Sequence, residues 1–250
     1  MFYASRILPV CILMIVLMSS CKNIMIHKNL SRLRQTWNRD SLTNTTIYYQ
    51  SGSFAETDRN FLRITIEQRR ADILQIMGEK NYPARIDAFF FQEKHEMNEQ
   101  LKTHGEGVAF AKDNVAAFTY SQGFEGYNRH ELAHVISINL WGETSLWIEE
   151  GFATLTDEDR QTKDFHSQAA AILGTDKFIP IEKIFKGFRN YDGNWYRYVE
   201  TASLLGFIRE KYGIAALKQV WRNKRASFAE HAQKDLVAEW LAMLRNAHIK

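Results

Sequence analysis

Cysteine is almost missing from this 250-residue chain: Cys11 and Cys21 are the only two, and both lie close to the N-terminus. An internal disulfide and a thiolate metal site are thereby excluded for everything that follows, so any metal must be held by nitrogen and oxygen. A marked charge excess is lacking too. The 32 Lys and Arg stand against 29 Asp and Glu, a net +3, too even for the basic field that nucleic-acid binding requires, and no nucleic-acid partner is expected. Internal repeats, low-complexity tracts, a phosphate-cradling glycine loop, a Ser-His-Asp order and a redox cysteine pair are all absent from the sequence. What is present is a 45% apolar composition, enough to bury a core and incompatible with disorder or a collagen-like repeat.

The apolar run Ile7 to Met18 follows a single positive charge at Arg6. It is shorter than the roughly 20 residues needed to span a bilayer, and it has the form of an export signal. Leu17-Met18-Ser19-Ser20-Cys21 resembles a bacterial lipobox, with Met18 where leucine is usual. The resemblance implies a signal peptide over residues 1–20, a lipid on Cys21 and an exported chain anchored to a bacterial cell-envelope membrane. Residues 21–46 are polar and basic, carrying Lys22, Lys28, Arg32, Arg34 and Arg39, and the composition predicts a tether. Folded structure is expected over 47–250.

Within that span the patterning changes once. Over 47–125 the sequence predicts a small sheet with one helix against it. Its parts are a β-prone run at Ile47-Tyr48-Tyr49, a helix from Asp58 to about Met77 ended by Gly78, a strand in Arg85 to Glu93, and a hairpin of Val108 to Ala111 with Ala116 to Tyr120. Over 126–250 helical periodicity takes over, in Tyr127 to Leu140, Leu146 to Leu155, Phe165 to Leu173, Tyr196 to Tyr212, Ile214 to Trp221 and Phe228 to Asn246. Gly142, Gly174, Pro180, Gly193 and Gly213 separate these stretches. The fold class expected is α+β, with sheet early and helices late. The aromatics, Trp195, Trp221 and Trp240 among them, are expected in the core.

One helical stretch holds His130-Glu131-Leu132-Ala133-His134. Residues four apart share a helix face, so both imidazoles can meet one zinc ion while Glu131 serves as general base to a water beside it. A catalytic zinc ion usually has three protein ligands, and Trp147-Ile148-Glu149-Glu150-Gly151-Phe152-Ala153, after a short loop, offers two carboxylates for the third position. Thr154 and Asp157 could share that carboxylate's face and orient a ligand histidine through its second nitrogen.

HELAH followed by WIEEGFA resembles the gluzincin metallopeptidases, in the peptidase MA and aminopeptidase N-type branch. The resemblance implies a zincin-like fold with the zinc site between the sheet and the helical half, Zn2+ held by His130, His134 and Glu150, and Glu131 as catalytic base. It also implies a tyrosine that donates to the oxyanion; Tyr198, in the stretch Tyr198-Val199-Glu200-Thr201, matches that position, with Tyr196 as its rival. A sheet edge within Val108 to Tyr120 would grip a peptide or protein substrate as an added strand. The glycine-rich exopeptidase motif has no counterpart beyond Gly105-Glu106-Gly107, so aminopeptidase activity is not expected. The alternative is a non-catalytic, zinc-stabilised envelope lipoprotein that binds peptide or protein partners in its groove.

Overall fold

The computed structural model of the chain describes residues 23–125, 127–157 and 164–248; the export signal and the lipobox through Cys21 lie outside the described residues. The fold is α+β, as the patterning predicts, and no described helix is long and apolar enough to cross a membrane. The chain divides into two compact units, Met1–Arg63 with Asp87–Val108 and Ala117–Tyr127, and Ile64–Ile86 with Ala109–Ala116 and Asn128–Lys250.

The first unit corrects the tether. Residues 23–36 form helix α1, in which Ile26, Leu30 and Leu33 are buried. Spacings of four and three put these side chains on a single stripe, and three apolar residues so placed are enough to dock a helix whose remaining residues, apart from the exposed Ile24 and Met25, are mainly polar and basic. Average composition over the segment hides such a stripe. Arg34 Nε donates to Asp87 Oδ2 at 2.7 Å, and Asn29 Nδ2 to the Gln100 carbonyl at 2.7 Å. Trp37 then meets the edge of Phe91 at 4.7 Å. Truncating Leu33 to Ala should cost about 2–5 kcal/mol, read as a lowered denaturant midpoint at constant slope; an unchanged midpoint would return this segment to a linker.

Strand β1 (Asn38–Ser41) pairs antiparallel with β2 (Thr45–Tyr49). A short helix α2 (Phe54–Thr57), capped by Ser53, leads into α3 (Arg59–Met77). The Asp58 carbonyl accepts the Leu62 N–H at the start of α3, while the Asp58 carboxylate takes the Tyr120 hydroxyl. At the far end Glu79 N–H reaches back to the Leu74 carbonyl at 2.9 Å and Gly78 N–H to Gln75 at 3.1 Å, a pairing that needs the positive φ of 64° at Gly78.

The remaining strands are β3 (Ile86–Phe91), β4 (Gly107–Phe110), β5 (Val115–Ser121) and β6 (Phe124–Glu125), with α4 (Lys94–Leu101) after β3. The sheet order is β1-β2-β3-β5-β4, with β6 on β5. The expected hairpin of β4 and β5 is present, turning through Ala111–Asp113 and a left-handed Asn114. Of the stretch expected to supply a sheet edge, β4 ends the order, whereas β5 lies inside it and is buried along nearly its whole length.

Besides most of α3, the second unit holds α5 (His130–Trp141), α6 (Leu146–Thr156), α7 (Phe165–Ile172), α8 (Ile181–Lys186), α9 (Tyr196–Asn223) and α10 (Gln233–His248). Helix α9 breaks at Gly213, whose φ of 84° and ψ of 171° are non-helical, where the sequence separates two helices. Its closest companion is α6; α7 packs on both α9 and α10, and α5 on α6. Trp221 and Trp240 are buried as expected, their indole N–H groups donating to the Gly142 carbonyl at 2.7 Å and Ser203 Oγ at 2.9 Å.

Candidate metal centre

Helix α5 presents His130 and His134 one turn apart, and α6 brings Glu150 to them. His130 Nε2 lies 3.3 Å and His134 Nε2 3.8 Å from the same oxygen, Glu150 Oε2. Ligand atoms of the three residues all fall within 4.8 Å of one another, a group that could hold a metal ion.

The second ring nitrogens are addressed by other carboxylates. His134 Nδ1 is 3.1 Å from Glu149 Oε1, and His130 Nδ1 is 3.8 Å from Asp157 Oδ2. Adjacent residues on a helix are turned by about 100°, which is why Glu150 meets both Nε2 atoms and Glu149 passes to the other side of His134. Of the two glutamates that the sequence offers, Glu150 is the one in the group that could hold an ion. Asp157 is itself held, because its Oδ1 accepts the Arg129 backbone N–H at 2.8 Å. The Arg129 side chain donates to the Thr156 carbonyl and to Asp72 Oδ2, both at 2.9 Å. Thr154 is buried, and the structure shows it orienting neither imidazole.

The charges suit a cation. Burial would raise the Glu150 pKa, but hydrogen bonding to His130 and the charges of His134 and Arg197 bring it below the usual carboxylate range, so it stays ionised as a ligand must. Burial would lower the His134 pKa; Glu149, Glu150 and Glu131 outweigh it and push it up to about 9. The two-imidazole, one-carboxylate donor set could hold a divalent metal ion. Unlike Glu150, Glu131 has its pKa raised, by its burial against the opposing charges of His130 and His134.

Of the two candidate tyrosines, Tyr198 is the one brought to the centre, its ring centroid 6.4 Å from that of His130. Tyr196 instead lies under the Lys177 ammonium at 5.6 Å and lines a separate hollow with Gln168, Ile172 and Thr175. The start of α9 is positioned by a close helix crossing, in which a Cβ built on Gly151 would stand 2.8 Å from Thr201 Cβ. Glycine directly after Glu150 is therefore a packing requirement. Gly151→Ala should destabilise by about 1–3 kcal/mol and move Tyr198 off His130, seen as a lower melting temperature and a changed environment of Trp195; an unperturbed variant would show that the crossing is loose.

Trp195 departs from expectation. It is 52% exposed rather than in the core, and stacks on Tyr198 with ring centroids 5.5 Å apart. Sequence reasoning also missed Arg197, whose Nη2 donates to the Tyr198 hydroxyl at 3.2 Å. A single arginine in a helical stretch carries no motif, and only its position next to Tyr198 could have drawn notice. Set against protein-family models and against curated proteins, the chain matches none.

Proposed function

We propose that this chain is a zinc-dependent peptidase of the gluzincin type, with a zincin-like fold, exported and anchored through a lipid on Cys21. The observation that carries the reading is the convergence of His130 Nε2, His134 Nε2 and Glu150 Oε2, with each Nδ1 turned to a carboxylate of its own.

Zinc bound there would supply Lewis acidity and lower the pKa of a coordinated water toward neutrality. Glu131, made less acidic by burial, takes the proton from the attacking water and returns it to the leaving amine. Tyr198 donates its hydroxyl hydrogen to the carbonyl oxygen as charge develops there. Glu149 and Asp157, 3.1 Å and 3.8 Å from the two Nδ1 atoms, place negative charge behind the imidazoles and favour their present orientation. The substrate is a peptide or protein segment whose amide can lie across these groups. Residue 23 is already helical, so a lipid on Cys21 would hold the first unit directly at the bilayer surface.

The test is a peptide-library digest with residues 22–250, run with and without a chelator. Cleavage only in the untreated arm is the expected result. Cleavage in both arms overturns the metal mechanism, and cleavage in neither leaves a binding protein. Mass spectrometry of the exported chain checks the lipid on Cys21, and an unmodified cysteine overturns the anchor alone.

A further inference from the structure

Arg197 is only 6% exposed, and while its Nε has no hydrogen-bond partner among the described residues, both of its Nη groups are engaged, as a guanidinium so deeply placed requires of most of its donors. Its Nη1 donates to the Phe188 carbonyl at 3.1 Å and pairs with the Asp192 carboxylate, while Nη2 donates to the Tyr198 hydroxyl. The cation also lies over two rings, 4.6 Å from the Phe188 centroid and 4.8 Å from that of Tyr198. Phe188 meets Tyr198 edge-on at 5.1 Å, and Trp195 stacks on it with planes 23° apart. Three side chains therefore wall the Tyr198 ring, and Arg197 alone among them addresses its oxygen.

The direction of that hydrogen bond matters. A guanidinium has five donors and no acceptor, so at this contact the Tyr198 oxygen accepts and its own proton cannot go back along the same line. The proton is left for another acceptor. A fixed positive charge beside the oxygen also strengthens the hydroxyl as a donor, because it stabilises negative charge building on the phenol.

We propose that Arg197 is the positioning residue for the oxyanion donor: held by Phe188 and Asp192, it locks the Tyr198 hydroxyl so that its proton is presented to the reacting carbonyl oxygen. The proposal deepens the peptidase reading and rests on it. Through Arg197 the turn at residues 188–192 reaches the chemistry without touching substrate.

A double-mutant cycle of Arg197→Met and Tyr198→Phe tests this, with Asp192→Asn as a milder variant. Loss of an oxyanion donor lowers kcat by about 10²–10³, which is the expectation for Tyr198→Phe. Arg197→Met should lower kcat at least tenfold, with KM and zinc content unchanged, and should add no loss in the Tyr198→Phe background. Should Arg197→Met fail to fold, Asp192→Asn carries the cycle, since the Asp192 side chain is 70% exposed. A second measurement needs no activity: in chelator-treated protein labelled with 13C at the tyrosine ζ carbon, the Tyr198 resonance, assigned from Tyr198→Phe, should move in Arg197→Met and in Asp192→Asn. Losses that multiply, an effect on KM alone or a resonance that stays in place would overturn the role while leaving a cleaving, chelator-sensitive wild type intact. A wild type that shows no chelator-sensitive cleavage would overturn the peptidase reading and this role together.

Discussion

Glu131→Gln is expected to keep zinc and to lower peptide cleavage by about 10²–10⁴-fold, the contribution of a general base at its reacting proton. The exchange preserves shape and removes only the ability to take up a proton. Glu131 sits next to His130 on α5 without belonging to the group that could hold an ion, so metal content should stay at the wild-type level. Burial raises its pKa above the ordinary carboxylate value, which favours proton uptake from an attacking water. Metal analysis beside single-turnover rates checks both halves. A Gln variant that cleaves at the wild-type rate would remove Glu131 from the mechanism, and one that arrives without zinc would mean that the carboxylate belongs to the donor set.

The second large effect separates the adjacent glutamates. Losing a carboxylate that orients a ligand imidazole weakens metal binding by about 10–100-fold, and this is the expectation for Glu149→Ala, which frees His134 Nδ1. Glu150→Ala removes the oxygen that faces both Nε2 atoms and should weaken binding well beyond that range. The two variants remove the same atoms from neighbouring positions on one helix, so non-specific effects of charge loss nearly cancel between them. Competition titration against a chromophoric chelator ranks them. Equal losses would place both carboxylates in one role, and the reverse order would make Glu149 the ligand.

The part of this centre legible in the sequence is the part that obeys local geometry. HELAH places two imidazoles on one helix face whatever surrounds it, because residues four apart on a helix nearly coincide in rotation. The order of sheet and helix, the β4–β5 hairpin and the break at Gly213 are likewise written in periodicity and in glycine. The tether failed because a three-residue stripe within polar sequence becomes apolar surface only when something stands opposite it; Ile26, Leu30 and Leu33 have no meaning as a core until they are docked.

Sequence alone thus determined the donor types, the helix that carries two of them and the exclusion of sulfur. Tertiary structure decided which glutamate meets both Nε2 atoms, which tyrosine reaches His130 and which arginine holds it. Those choices turn on the rotation and approach of α6 and α9, which cross closely where Gly151 meets Thr201. A contact between residues 50 positions apart leaves no period in the chain, since its energy comes from two surfaces that only folding brings together.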